Sequence, residues 1–272
     1  MAKVDKWKVR NGLIDLSNGP LVMGILNVTP DSFSDGGDHN ELDAALKTAE
    51  QMVRDGAVII DVGGESTRPG ADIVSEQEEI ERVVPVIEGI ASNLEVWISV
   101  DTYKAATARE ALKAGAHIVN DVFGFQKETD IATAVKDYEA GAVLMANATM
   151  NNGADILKFK DDFLSTSLEI AHQAGITDDM ILLDPGVGFG TDRDEDLKLM
   201  RALGNEDNIL LGVSRKRIVD HLLGGGTLPK ERAAGSVGIA LAAAAKGVKV
   251  VRVHDVRQTV DALKTYKAVM EV

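Results

Sequence analysis

The sequence predicts an α/β fold: a single (β/α)8 barrel of the TIM type, preceded by an N-terminal β-hairpin. Three observations carry that expectation. Short apolar, β-branched runs alternate with helical patterns along all 272 residues. Runs and helical stretches each number eight, and no composition break marks a second domain, so residues 1–272 read as one domain. Polar and glycine-rich residues follow the apolar runs, whereas the segments entering them, such as Asp55-Gly56 and Ala114-Gly115, are short and plain. Strict alternation also permits an open doubly wound sheet. The count of eight favours closure into a barrel.

The stretch Trp7 to Leu16 alternates around Asn11-Gly12, a pair suited to a tight hairpin turn, and is placed to cover the bottom of the barrel. The first strand is read at Val22 to Leu26 and its helix at Glu41 to Asp55. The second pair is Val58 to Val62 with Ser75 to Ala91. In that helix Ile80, Val83, Val84, Ile87 and Ile90 recur at helical spacing, and Glu76, Glu78, Glu79 and Glu81 read as a solvated face near the positive end of the dipole. Then come Trp97 to Val100 with Lys104 to Ala114, Ile118 to Asn120 with Asp130 to Ala140, and Val143 to Met145 with Asp161 to Ala174. The last three pairs are Ile181 to Leu183 with Asp194 to Leu203, Ile209 to Val213 with Lys230 to Lys246, and Val250 to Val253 with Val256 to Val269. Each strand run is nearly continuously apolar, as expected of parallel strands covered on both faces. Ala240 to Ala245 reads as tight helix packing, and His117, just before the fourth strand, as a structural residue at the barrel bottom.

Composition narrows the function. Lys plus Arg total 29 and Asp plus Glu 43, a net charge of −14, with no basic tract. That argues against nucleic acid or an anionic membrane as partner, while leaving room for a small anion bound by a local basic cluster. Cysteine is absent, which removes disulfides, thiolate metal sites and a cysteine nucleophile. The start, Met1-Ala2-Lys3-Val4-Asp5-Lys6, is polar and no run of 18 apolar residues occurs, so the reading is a cytoplasmic protein with no membrane span. The five histidines show no metal-ligand spacing, Gly186 to Gly190 lacks the dinucleotide spacing, and no Walker sequence is present.

A barrel of this type gathers its active site at the C-terminal ends of its strands. Those ends carry Asn27, Asp61, Asp101, Asn120, Met145, Asp184, Ser214 with Lys216, and Arg252 with His254. Asp101 and Asp184 are planar acceptors, Asn120 donates and accepts, and Lys216, Arg252 and His254 are cations or potential cations. The set suits a flat heterocycle with amidine-like N–H edges, a pterin or a purine. Arg252, His254 and Asn27 stand on the last and first strands, which neighbour each other in a closed barrel, and suit a phosphate or diphosphate. Asp61 by itself reads as a helix-cap or turn residue.

Six stretches carry a resemblance: Leu26 to Gly37 (LNVTPDSFSDGG), Asp61 to Gly70 (DVGGESTRPG), Ser99-Val100-Asp101-Thr102, Asp184 to Gly190 (DPGVGFG), Ser214-Arg215-Lys216 and Arg252-Val253-His254-Asp255-Val256. With these the sequence resembles the dihydropteroate synthase family over nearly its full length. The resemblance implies a homodimeric barrel that joins 6-hydroxymethyl-7,8-dihydropterin diphosphate to 4-aminobenzoate, releasing diphosphate, with Mg²⁺ assisting. It implies a pterin pocket of Asp101, Asn120, Met145, Asp184 and Lys216, and a diphosphate site of Asn27, Arg68, Arg252 and His254, with Asn27 at the metal. It places Phe33, Thr67, Pro69, Phe189 and Arg217 toward the aminobenzoate, and Asp35, Arg68, Asp101 and Lys216 at the chemistry.

Two places depart from the family pattern. Met145 is followed by Ala146-Asn147-Ala148-Thr149-Met150 instead of a His-Met-Arg-Gly-like run, which reads as a loop substitution. Arg217 stands where a Ser usually follows the Lys of Ser-Arg-Lys, and either pairs with the aminobenzoate carboxylate, points to solvent or alters the pocket. Two rival functions follow: a methyltetrahydrofolate methyltransferase, which has no use for a diphosphate site, and a catalytically silent paralogue that binds pterin or a partner protein. Release of diphosphate with both substrates sets the synthase apart from these rivals, and pterin binding with no release favours the silent paralogue.

Overall fold

The computed structural model describes residues 3–29, 38–66, 73–204 and 207–270. The hairpin comes first, as β1 (Lys6–Val9) and β2 (Gly12–Asp15), paired antiparallel with Val9 opposite Gly12. Asn11 takes the left-handed backbone of its turn, at φ 65°. Gly12 serves packing: a Cβ there would lie 2.7 Å from the Trp97 ring.

Eight parallel strands follow: β3 (Leu21–Asn27), β4 (Ile59–Gly63), β5 (Trp97–Asp101), β6 (Ile118–Asp121), β7 (Gly141–Met145), β8 (Ile181–Asp184), β9 (Leu210–Leu211) and β10 (Val250–Val253). They lie in the order β8-β7-β6-β5-β4-β3-β10-β9. A bridge between Leu183 and Ile209, with the Leu183 N–H donating to the Asn208 carbonyl at 2.9 Å, joins the two ends into a (β/α)8 barrel. The expected strand from Ile209 to Val213 pairs over only two residues plus that bridge. Its entry is bent by Asn208, at φ 64°, whose side-chain carbonyl accepts the Val4 N–H.

The helices are α1 (Asp38–Arg54), α2 (Glu76–Asn93), α3 (Ala105–Ala114), α4 (Asp130–Asp137), α5 (Ile156–Gln173), α6 (Arg193–Ala202), α7 (Arg217–Leu222), α8 (Ala233–Ala245) and α9 (Val256–Met270). Two depart most from expectation, while α1 starts and α4 stops three residues early. The fifth starts at Ile156, because Asp155 caps it by accepting the Leu157 and Lys158 N–H groups. The expected helix from Lys230 begins as a single 3₁₀ turn, Pro229–Arg232, before α8, and the short α7 precedes it unforeseen. No helix among the described residues is long and apolar enough to cross a membrane.

Period-two alternation sorts the barrel's side chains. Odd and even positions separate an outer face, where Ile60, Val62, Ile98, Val100, Val119 and Leu144 meet the helices, from an inner one. The lower inner layer is apolar: Met23, Ile59, Ile118, Val143, Leu182, Leu210 and Val250, closed from below by Trp7, Ile14 and Leu16 of the hairpin segment. Trp7 is fully buried and its indole N–H donates to the Met180 carbonyl at 2.9 Å. His117 lies at this end as expected, its Nδ1 accepting the Ile98 N–H and its ring edge-on to Trp97. The hairpin thus does cover the bottom.

Candidate active site

One pleat above the apolar layer the inner positions turn polar. Two residues on from Ile59 is Asp61, from Trp97 is Ser99, from Ile118 is Asn120, from Leu182 is Asp184 and from Val250 is Arg252. The ladder sets Asp61 beside Ser99, Gly63 beside Asp101, and Asp101 beside Asn120. Asp61, Ser99, Asn120 and Asp184 are all buried. Met145 joins them from β7, packed with Tyr103, Val122, Phe123 and Phe189 into an apolar wall.

Arg252 reaches across the barrel interior from β10. Its Nε donates to Asp61 Oδ2 at 2.5 Å and its Nη2 to Asp101 Oδ2 at 2.6 Å, over strands two and three places away in the sheet. Asp61 Oδ2 also accepts from Asn120 Nδ2 at 3.1 Å. Asp61 is therefore no cap or turn residue: it is wholly buried and holds two other site residues. Its signal was available in the alternation that puts it on the same face as Ile59, inside the strand and not after it. Asp61 Oδ1, Ser99 Oγ and Asp101 Oδ1 are buried without a hydrogen-bond partner.

Burial governs the charges. It pushes the Asp101 carboxyl up to about 7, with Arg252 pulling down and Asp61 pushing up. Asp184 is likewise raised by burial, against the opposing pull of Lys216. Burial draws the Lys216 ammonium down to about 8, although Asp184 favours its charge. Burial also opposes the charge on Arg252, but Asp61 and Asp101 outweigh it and hold the guanidinium above its ordinary range.

The loops after the strands complete the rim. After β8, Gly186, Gly188 and Gly190 all have left-handed backbones. A Cβ on Gly186 would sit 1.7 Å from the Ala146 carbonyl oxygen, so this loop and the one after β7 touch through backbone alone. Gly186 N–H donates to Asp184 Oδ1 at 2.8 Å. In the divergent loop, Asn147 is buried, donates to the Val122 carbonyl and caps Thr149, so the substitution is built into the rim's packing. Lys216 donates to the Val187 carbonyl at 2.6 Å with its ammonium 4.4 Å from the Phe189 ring centre. The loop before Lys216 is fixed by Arg215, at φ 60°, whose guanidinium grips Asp255 through two hydrogen bonds of 3.0 and 2.5 Å. That pair, absent from the sequence reading, ties Lys216's loop to the loop carrying His254. Ser214 Oγ accepts the His254 N–H and lies 3.1 Å from its Nδ1.

Asn27 ends β3 beside Gly63: a Cβ there would stand 3.8 Å from Asn27 Oδ1 and 3.5 Å from Asp101 Cβ. Among the described residues no group of three His, Asp or Glu could hold a metal ion. A single neutral oxygen such as that of Asn27 fits Mg²⁺ when phosphate and water supply its other positions. Arg217 opens α7 with its side chain exposed, and no ion pair engages it among the described residues. Phe33, Asp35, Thr67, Arg68 and Pro69 lie outside the described residues.

A second acidic group was misread. Glu79 is buried, not solvated: position 79 shares a helical stripe with Val83, Ile87 and Ile90. Burial raises its carboxyl, and Lys104 Nζ donates to its Oε2 at 2.7 Å as well as to Glu65 Oε2 and the Val74 carbonyl. Lys104 thereby ties Glu65, Val74 and Glu79 together.

A family model described as "Pterin binding enzyme" matches residues 23–254. The dihydropteroate synthase of Bacillus subtilis is 47% identical over 254 residues, 92% of this chain and 88% of its own. A solved Xanthomonas albilineans dihydropteroate synthase with 4-aminobenzoic acid superposes with a TM-score of 0.92 at 40% identity, covering 98% of this chain and 99% of that one. The same enzyme in complex with 7,8-dihydropteroate gives 0.89 at 38% identity, covering 98% and 99%.

Proposed function

The chain belongs to the pterin-binding enzymes and among them to the dihydropteroate synthases, a transferase family, and on that premise we propose that it condenses 6-hydroxymethyl-7,8-dihydropterin diphosphate with 4-aminobenzoate. The observation that supports this best is the polar layer inside the barrel. Asp101 Oδ1 is a buried acceptor lacking a donor. Such an atom is costly unless something bonds it, and a pterin's ring N–H groups would do so.

In this reading Asp101, Asn120 and Asp184 hold the hydrogen-bonding edge of the heterocycle, Lys216 donates to its acceptors, and Met145 packs on its face. Arg252 commits two of its nitrogens to Asp61 and Asp101, while its Nη1 makes no hydrogen bond among the described residues and serves the diphosphate with His254. The amine nitrogen forms the bond to the pterin methylene as the C–O bond to diphosphate breaks. The amine's proton leaves with the departing group or to solvent. The amine is a neutral nucleophile, so the residues act by placing charge and reactants and not as a strong base. Asn27 would hold Mg²⁺, which when bound neutralises diphosphate charge. Arg68 is assigned to the diphosphate, Asp35 to the reacting centre, and Phe33, Thr67 and Pro69 with Phe189 and Arg217 to the aminobenzoate. The exposed position of Arg217 favours the carboxylate or solvent over a filled pocket.

The same proposal takes the chain as one cytoplasmic domain working as a homodimer. The absence of cysteine suits that compartment. Support for the dimer is the outer face of α8, where Ala234, Gly238, Ala242 and Ala245 are exposed, as are Leu222, Leu223 and Leu228 in the segment leading into that helix. A coupled assay tests the chemistry: diphosphate should appear only when the pterin diphosphate and 4-aminobenzoate are both present. Pterin binding with no release would replace the proposal with the silent paralogue.

A further inference from the structure

Helix α6 carries a carboxylate that the reaction does not use and that solvent does not reach. Asp196 is wholly buried. A buried carboxylate on an outer helix is costly unless it is paired and fully hydrogen-bonded. Here one oxygen is bonded by the loop after β8 and the other by the first residue of its own helix. Oδ1 accepts the Gly188 N–H at 2.7 Å and the Thr191 hydroxyl at 2.6 Å, and Oδ2 accepts from Arg193 at 2.7 Å. Thr191 Oγ1 itself accepts the Gly188 N–H at 2.9 Å, so the two acceptors share one backbone donor.

Gly188 lies midway between the two groups that meet Lys216. On one side the Val187 carbonyl accepts the Lys216 ammonium at 2.6 Å, and on the other the Phe189 ring lies 4.4 Å from it. The glycine also makes room for this lysine, since a Cβ there would come within 2.9 Å of Lys216 Cδ. Its left-handed backbone, φ 82°, gives the chain several alternatives unless something holds it. The structure assigns that task to Asp196: it is a positioning residue that pins the Gly188 amide and so sets Phe189 and Lys216 against each other, fixing the wall on which the aromatic amine is received. This rests on the function proposed above.

The test compares Asp196→Ala with Asp196→Asn, which keeps the acceptor oxygen. Both are measured per active site, with KM and kcat for 4-aminobenzoate at saturating pterin diphosphate. Asp196→Ala should raise KM about tenfold or more, as a misplacement on the scale of an ångström costs up to about 10²-fold. Asp196→Asn should stay within about threefold of wild type, because the amide keeps its partner. Thr191→Val, which removes the other acceptor, should move KM the same way by a smaller factor, and it decides the matter if Asp196→Ala does not fold. Hydrogen exchange of the 186–190 amides should quicken in the alanine variant and not in the asparagine one. That readout needs no turnover, so an inactive wild type would count against the proposed function while leaving the clamp tested. A folded Asp196→Ala with wild-type KM and unchanged exchange would overturn the inference, as would an Asp196→Asn as impaired as the alanine variant.

Discussion

Replacing Arg252 with Met removes one cation from between two buried carboxylates while roughly keeping the side chain's bulk. Asp61 is wholly buried and its Oδ1 already lacks a partner, so it would retain only the Asn120 amide. Removing one partner of a buried pair costs roughly 3–5 kcal/mol. Two pairs are lost here, yet the cost should not double. Asp101 already titrates at about 7, and Arg252 is the group that lowers it. Without Arg252 its pKa rises further above the unfolded value of 3.8, and the carboxyl takes up a proton. A raised acid stabilises the native state at low pH and loses that contribution as pH rises through the native pKa. The deficit should therefore be largest near pH 8.5, at roughly 3–5 kcal/mol, and smaller near pH 6. Urea melts of wild type and variant at both pH values measure it, alongside diphosphate release, which should fall below detection. Asp61→Asn in the same background should recover most of the lost stability, because the stranded charge is gone. A variant within about 1 kcal/mol of wild type at the higher pH, or a deficit that grows as pH falls, would refute the bridging role of Arg252.

Three further outcomes are expected. kcat/KM for the pterin substrate should trace a narrow bell, rising through about 7 as Asp101 ionises and falling above about 8 as Lys216 loses its proton; a flat profile from pH 6 to 9 would remove both from the binding step. Trp7→Ala should cost roughly 3–5 kcal/mol in a denaturant melt, since the ring is fully buried at the barrel bottom, with little change in KM. Gly186→Ala should cost roughly 3 kcal/mol and most of the turnover, because its Cβ would meet the Ala146 carbonyl at 1.7 Å and displace the amide that bonds Asp184; a fully active, stable variant would show that the two loops can part.

Most of the fold was legible because its signals are local. Eight apolar runs report parallel strands, and the polar, glycine-rich residues after the first, second and sixth report the end at which they open. That rule placed Asp101, Asn120, Asp184 and Lys216 at one end of the barrel, since a barrel brings strand ends together whatever their separation along the chain. The helix boundaries around α7 and α8 were not, because the break at Pro229 is set by how Arg232 bonds the Arg215 and Thr227 carbonyls, contacts made only in the folded chain.

Asp61 and Glu79 show where sequence stops. Each sits at a position whose face the alternation or the helical stripe already marks as buried. Asp61 was read as a cap or turn residue and Glu79 as solvated, and what reversed each reading is a partner distant in sequence: Arg252 for Asp61, Lys104 for Glu79. By itself the sequence determined the period of each element, hence its type, its inward face and the end that carries chemistry. Only the tertiary structure decided which inward groups meet across the barrel and with what charge. Periodicity is a property of neighbours along the chain, whereas desolvation and ion pairing depend on neighbours in space.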